Sequence, residues 1–404
     1  MLSTYAEILK LKGAWRFSFV GLVLRLPMSM TSISTILLIK AEYGNYSMAG
    51  AVSAVNVVAL ALCAPTLSRL VDRHGQLKIM GPSLAVSALS TLGLLLAALT
   101  HAPAWILFVC AALAGATWGS PGALVRSRWA HVVDEPGQLT TAYAFEAAMD
   151  ELVFILGPVL STVLGTTIHP GTGVSLSFTF LALGGAGFLS QRRSEPTPVP
   201  RIEGEVRQSV IRRPAVVVMA LTYIGAGMMF GSNDVAVVAF AEEQGAEAMS
   251  GVLLAIFSLG SLAAALVYGA RPWGAPLWKL FAIGVVALAA GTSMYLFAHN
   301  LWIMALVMVA TGMACAPTMT NVNMIIAKVV PARQLTEGLT WMSTSMNLGV
   351  SLGSAVAGPP IDRFGSYGGY VMMVGAAWVM VFFMFIGLGT LKRETEAVVR
   401  PRLG

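Results

Sequence analysis

Charge is what this sequence has least of. Asp, Glu, Lys and Arg together make up 11% of 404 residues, while 56% are hydrophobic and the mean hydropathy is +0.76. That balance lies outside the range of soluble globular domains and implies a chain whose solvent is largely lipid. Cysteine is scarce as well. Cys63, Cys110 and Cys315 are odd in number and fall inside apolar runs, which excludes a disulfide framework and leaves them as small packing residues. The five histidines, His74, His101, His131, His169 and His299, fall in connections between apolar runs, and no pair has metal-ligand spacing. No metal site is expected. A cleavable signal peptide is not expected either, because the first apolar run is too long and lacks a small-residue cleavage site.

What the chain has in abundance is apolar runs of roughly 18 to 25 residues, the length that spans about 30 Å of hydrocarbon. Twelve recur, near 16–39, 48–68, 80–100, 104–125, 140–166, 173–190, 214–240, 249–269, 278–298, 301–327, 337–357 and 369–391. They are numbered here as spans 1 to 12. The expectation is an all-α polytopic membrane protein whose first partner is the lipid bilayer. Of the 25 Lys and Arg residues, 22 fall on one side if the connections alternate, so both termini are expected in the cytoplasm, as in a bacterial inner-membrane protein. The net charge of +6 then describes topology, and no nucleic-acid partner is implied.

A long polar stretch, Gln191 to Arg213, holds prolines and charges of both signs and divides the spans six and six. The expected domains are residues 1–190, a linker at 191–213, and residues 214–404. The halves resemble each other at fixed offsets. GQLTTAYAFEAAMDELVFILGP at Gly137 aligns with RQLTEGLTWMSTSMNLGVSLGS at Arg333, and Gly157 falls on Gly353 at a shift of 196. YSMAGAVSA aligns with EAMSGVLLA at a shift of 201, so that Met48 falls on Met249. Two pseudo-symmetric six-helix bundles follow, a parallel-repeat plan that places a substrate site between the halves near the bilayer midplane.

The connection between spans 2 and 3, SRLVDRHGQLK, resembles the loop signature of the major facilitator superfamily, with Asp72, Arg73 and Gly75 in place and Ser68 where the leading glycine usually stands. Its copy in the second half has decayed to GARPWG at Gly269. The resemblance implies the major facilitator fold and alternating access, with the Asp72 loop acting as a cytoplasmic gate whose acid pairs with basic groups and a helix end. Arg73 and Arg126 are candidate partners; Arg126 and Arg128 are otherwise read as charges that satisfy topology. Gly157-Pro158 resembles the core of the span 5 signature of antiporter branches, in which the missing N–H and the small glycine permit a bend and a close crossing. The Gly-Gly that should follow is Ser161-Thr162 here, and the arginine expected in span 4 is absent. Arg25 is the candidate to replace it electrostatically.

Span 5 carries Glu146, Asp150 and Glu151 in an otherwise apolar run. An acid at membrane depth costs at least about 2.5 kcal/mol, so three in one span call for a return. Arg25 in span 1 lies at similar depth, and the resemblance makes spans 1 and 5 neighbours. Arg25 is therefore expected to pair with Asp150 or Glu151, leaving another acid to take up and release a proton, with Asp150 favoured. A packing network that merely pins span 5 is the competing reading. Asp234 in span 7 is a further intramembrane acid, facing either the cavity or its exit.

Trp118, Met228, Asn233, Asn321 and Asn323 are candidate cavity residues. Pro121 and Pro317, which align at the shift of 196, are candidate bends. An apolar, Met-rich setting with few amides suits a small amphipathic organic compound. The leading expectation is proton-coupled export by a functional monomer, resembling bacterial proton-coupled efflux branches, with no cofactor and the proton gradient as energy source. Proton symport or facilitated passage of a metabolite is the alternative, and a transporter-like receptor or membrane enzyme stands further off. An enzyme should show intramembrane His, Cys-His or metal spacing, and none is present.

Overall fold

Apolar side chains over whole membrane-length runs leave the backbone no partner in lipid except itself, so each run closes into a helix. The computed structural model describes residues 2–11, 13–44, 46–198, 209–246 and 249–397, and among these every regular element is helical. The linker residues 199–208 and the tail beyond 397 lie outside them.

Spans 1 to 6 are Ala14–Tyr43, Met48–His74, Gln76–Leu99, Ala104–Val132, Gly137–Gly165 and Thr172–Ser190. Spans 7 to 10 are Pro214–Glu243, Met249–Gly269, Leu277–Phe297 and Leu301–Val329. The last apolar element, Ala332–Ala397, is too long for one crossing and divides at Gly365, whose φ of 64° and ψ of −159° end one helix and begin another. Glu243 fixes this turn by accepting bonds from the Ser366 backbone N–H at 2.6 Å and the Ser366 hydroxyl at 2.5 Å. The twelve expected spans are present, but residues 358–368, expected as a connection, are helical apart from this break.

A helix that the apolar pattern did not reveal, Leu2–Lys10, precedes span 1 and is separated from it by Gly13 at φ 76°. It is too short to span and buries Tyr5 and Ile8.

The contacts divide the structure into two compact units. One comprises Met1–Tyr5, Glu135–Glu151 and Val206–Gly404; the other comprises Ala6–Asp134 and Leu152–Glu205. Span 5 thus contributes its first half to one unit and its second half to the other.

Within each unit, helices cross where a glycine removes the side chain. A Cβ on Gly115 in span 4 would collide with the Asn56 carbonyl of span 2, and one on Gly312 in span 10 would collide with the Phe257 carbonyl of span 8. Asn56 and Phe257 are related by the shift of 201, so the repeat preserves the crossing although the side chains differ. Likewise Gly157 meets Ser29 of span 1, and Gly353, its partner at the shift of 196, meets the Met228 carbonyl of span 7. Dispersion between close backbones replaces the hydrophobic effect as the force that joins helices in lipid.

These crossings predict a contrast between two identical substitutions. Gly353→Ala must push spans 7 and 11 apart and should cost about 1 to 3 kcal/mol. Gly375→Ala, whose new methyl group meets nothing within 4 Å, should be neutral or slightly stabilising. Thermal unfolding of the purified variants in one detergent compares them directly.

Candidate functional site

Span 4 is not one continuous helix. It runs as Ala104–Trp118 and resumes as Pro121–Val132, with Gly119 at φ 74° and Ser120 at φ −133° between. Trp118 is the central residue of the 29 in this span, so the break lies near mid-membrane. Pro121 lacks the N–H that a first helical turn would leave unpaired, which suits it to restart the helix. The aligned Pro317 sits inside an unbroken helix, Leu301–Val329. The two prolines therefore share a place in the repeat but not a conformation.

Beside that break stands Arg25, only 1% exposed. Its Nε donates to the Gly21 carbonyl at 3.1 Å. A Cβ on Gly122 would lie 4.0 Å from Arg25 Cδ and 3.1 Å from Arg126 Nη1, and Arg126 Nη1 donates to the Gly122 carbonyl at 3.3 Å. Gly122, which sequence reading passed over, leaves room for both arginine side chains at the start of the second half-helix. In the same unit Ser29 donates to the Val153 carbonyl at 2.8 Å, one turn before Gly157-Pro158, and the helix Pro136–Thr167 runs on through Pro158.

The second cluster belongs to the other unit. Glu151 is the central residue of span 5 and Cys315 that of span 10, and both lie at the depth of Ser258 and Ser261 in span 8. The Ser261 hydroxyl donates to Glu151 Oε1 at 2.7 Å, and Ser258 adds a second side-chain hydrogen bond. Cys315, buried, is hydrogen-bonded to Ser261. Sequence reading missed the two serines, although their i, i+3 spacing puts both on one helix face. Glu146 is fully buried and Asp150 half-buried on the same span. Arg25 falls in one compact unit and Asp150 and Glu151 in the other.

The remaining candidates differ in environment. Asp234 is exposed, and its carboxylate is hydrogen-bonded by the side chain of the buried Asn233. Asn321, 1% exposed, accepts a bond from the Tyr268 hydroxyl at 2.7 Å, so its amide oxygen is engaged within the helix packing. Asn323, Met228 and Trp118 are half-buried. The buried Trp118 Nε1 has no hydrogen-bond partner among the described residues.

At the Asp72 loop, Gly75 takes φ 95°, a region that favours glycine, and Arg73 is exposed while Asp72 is half-buried. The carboxylate that caps span 3 is Glu195, accepting from the Leu77 N–H at 3.0 Å. Arg128, read from sequence as a charge serving topology alone, is instead fully buried. Its Nε donates to Gln76 Oε1 at 2.7 Å, its Nη1 to the Gln191 carbonyl at 3.0 Å and Ser194 Oγ at 3.1 Å, and its guanidinium lies 3.8 Å from the Phe188 ring centroid. Glu337, also fully buried, accepts from Ser209 Oγ at 2.7 Å and the Val210 N–H at 3.2 Å. Each described end of the linker is thus held by a buried charge.

Comparison with known proteins follows the same lines. The family model described as Major Facilitator Superfamily matches residues 17–270 and 219–402. No sequence among the curated proteins matches the chain. Among solved structures, the human organic anion transporter MFSD10 (TETRAN) is similar at a TM-score of 0.67 and 14% identity, covering 92% of this chain and 97% of that one. A bacterial homologue of the iron transporter ferroportin, in its outward-facing state, is similar at a TM-score of 0.73 and 12% identity, covering 95% and 99%. At these identities the likeness concerns the fold.

The burial of Arg128 predicts that Arg128→Ala, which strands Gln76 Oε1 and the linker carbonyl, costs about 3 kcal/mol in unfolding. Arg128→Lys should lose most of the same stability, because an ammonium cannot reproduce the fork of bonds. A Lys variant as stable as the parent would contradict the assignment.

Proposed function

We propose, for a chain that belongs to the Major Facilitator Superfamily, that it exports a small amphipathic organic compound in exchange for protons by alternating access. Membership makes it a multi-pass membrane transporter and not an enzyme. The observation that carries the proton assignment is the hydrogen bond from Ser261 to Glu151 at the centre of two spans. A hydroxyl donates to a carboxylate and accepts from a carboxylic acid, so the pair keeps its bond in both protonation states. An acid held this way can gain and lose a proton without leaving a buried group unsatisfied.

Asp150, next in sequence and half-buried, takes the other role: we assign it, with Glu146 and Asp234, to the intramembrane charge network of the same compact unit. Met228, Asn233 and Asn323, all of one compact unit, are the proposed cavity residues there, and their mixture of thioether and amide supports an amphipathic substrate. The one-sided distribution of Lys and Arg supports cytoplasmic termini, in the inner membrane of a bacterium. The pH gradient supplies the energy to a single chain.

A second reading has its own support. Arg25 and Arg126 stand at the N-terminus of the half-helix Pro121–Val132, where the helix dipole favours negative charge. Proton symport of an anionic metabolite would use that locus.

Flux in proteoliposomes under an imposed pH gradient tests both. Glu151→Gln should abolish gradient-driven movement while leaving insertion intact. Undiminished gradient-driven flux in neutral variants at Glu146, Asp150, Glu151 and Asp234 alike would end the proton assignment. The sign of the gradient that drives accumulation separates export from symport.

A further inference from the structure

Glu243 is the last residue of span 7 and is exposed, and Ser366 holds its two carboxylate oxygens by the backbone N–H and the hydroxyl already described. Behind it, inside the same compact unit, stand Tyr295 and Tyr370, each 2% exposed. Tyr370 lies about one turn into the last span, beyond the break at Gly365, and its electrostatic neighbours are Tyr295 and Glu243. Tyr295 lies in the final turn of span 9, and the two rings meet edge to face with centroids 5.7 Å apart. Spans 9 and 12 run in opposite directions, and a helical side chain leans toward its own N-terminus. Tyr370 therefore leans toward Glu243, while Tyr295 leans toward the membrane centre. There the Tyr295 hydroxyl is hydrogen-bonded to Thr311 and has Cys315 as its next neighbour. Cys315 is bonded to Ser261, and Ser261 to Glu151 at 2.7 Å.

The Tyr370 hydroxyl is buried and has no hydrogen-bond partner among the described residues. A buried tyrosine as a rule finds one, because a stranded hydroxyl keeps its desolvation cost. Packing does not call for that oxygen. The ring also meets Phe240, with centroids 6.0 Å apart, and phenylalanine would make both ring contacts without a polar atom. A phenol set between a carboxylate and a second phenol offers a water molecule the polar partners that a buried water needs.

We propose that Tyr370 and Tyr295, bridged by water, carry protons between Glu243 at the exposed end of span 7 and the Glu151 site at the membrane centre. Each hydroxyl accepts a proton on its lone pair and passes on its own, and the Cys315 thiol and Ser261 hydroxyl do the same. One proton leaves the Glu243 end, one arrives at Glu151, and every group between them is neutral before and after. No charged intermediate has to rest in the bundle interior, where it would be costly. The inference rests on the reading of Glu151 as the proton site and adds the path by which it is reached.

A pH jump applied to the full chain in lipid nanodiscs, followed by time-resolved infrared absorption of the Glu151 carboxylic acid, reads the path without a substrate. Tyr370→Phe and Tyr295→Phe each keep the ring and remove one hydroxyl. Each should slow the growth of the Glu151 band by on the order of tenfold, the effect of about one hydrogen bond lost from the path, while its final amplitude and midpoint pH stay as in the parent. Phe240→Leu, which alters the packing of the Tyr370 ring and touches no hydroxyl, should leave the rate unchanged. Parent-like rates in both tyrosine variants would overturn the path, and so would an equal slowing in Phe240→Leu, which would trace the effect to packing. A parent with no titrating Glu151 band would instead end the proton assignment itself, and the path with it.

Discussion

A charge placed in hydrocarbon must find its partners inside the protein, and this requirement governs where helices stop, bend and touch. Arg25 gives one N–H to the carbonyl of its own preceding turn and lies beside a helix broken at mid-membrane. Glu151 is met by hydroxyls, Arg128 by an amide, a carbonyl and a ring, and Glu337 by a hydroxyl and a backbone N–H. None of these groups relies on lipid. The interactions differ in kind: the linker clasps use a charge gripped from several sides, whereas the proposed proton site has hydroxyl contacts that tolerate a change of protonation.

Close helix crossings supply the complementary property. At Gly115, Gly312 and Gly353 backbone approaches backbone without a side chain between, and at Gly157 only the small Ser29 side chain intervenes. Side-chain hydrogen bonds pin several of these crossings, Asn56 to the Ala111 carbonyl, Ser29 to the Val153 carbonyl and Ser232 to the Gly353 carbonyl, so close packing and directional bonds act together. Their placement at equivalent points of the two repeats means that both bundles are assembled on one plan. The proposed function draws on what is not repeated. The second half has no equivalent of the span 4 break, and the first has none of the Ser258 and Ser261 pair.

Much of this was legible in the chain before folding. Run length and Lys/Arg placement mark twelve spans, and the offsets of 196 and 201 locate crossings that the structure realises at Gly157 and Gly353. What escaped is informative. The helix Leu2–Lys10 is too short for an apolar run to register, yet it carries Tyr5. The RSR at 126–128 presents two arginines that composition cannot tell apart; only packing places Arg128 among the linker carbonyls and Arg126 beside Gly122. Pro121 and Pro317 look alike in the alignment, but Gly119 and Ser120 let the chain break ahead of the first, while Cys315 and Ala316 keep the helix intact ahead of the second. Serines in apolar spans read as packing until an acid from another helix lies opposite them, which is a tertiary fact.

The central claim is that a carboxyl group at the middle of span 5 changes protonation while it stays hydrogen-bonded within the protein. Infrared titration of the protein in lipid, following the carbonyl stretch of protonated carboxyl groups, addresses it without knowledge of the substrate. The account predicts a carboxylic-acid band that titrates over the pH range in which transport is driven and that disappears in Glu151→Gln. A titration that is identical in the parent and in Glu151→Gln would contradict it.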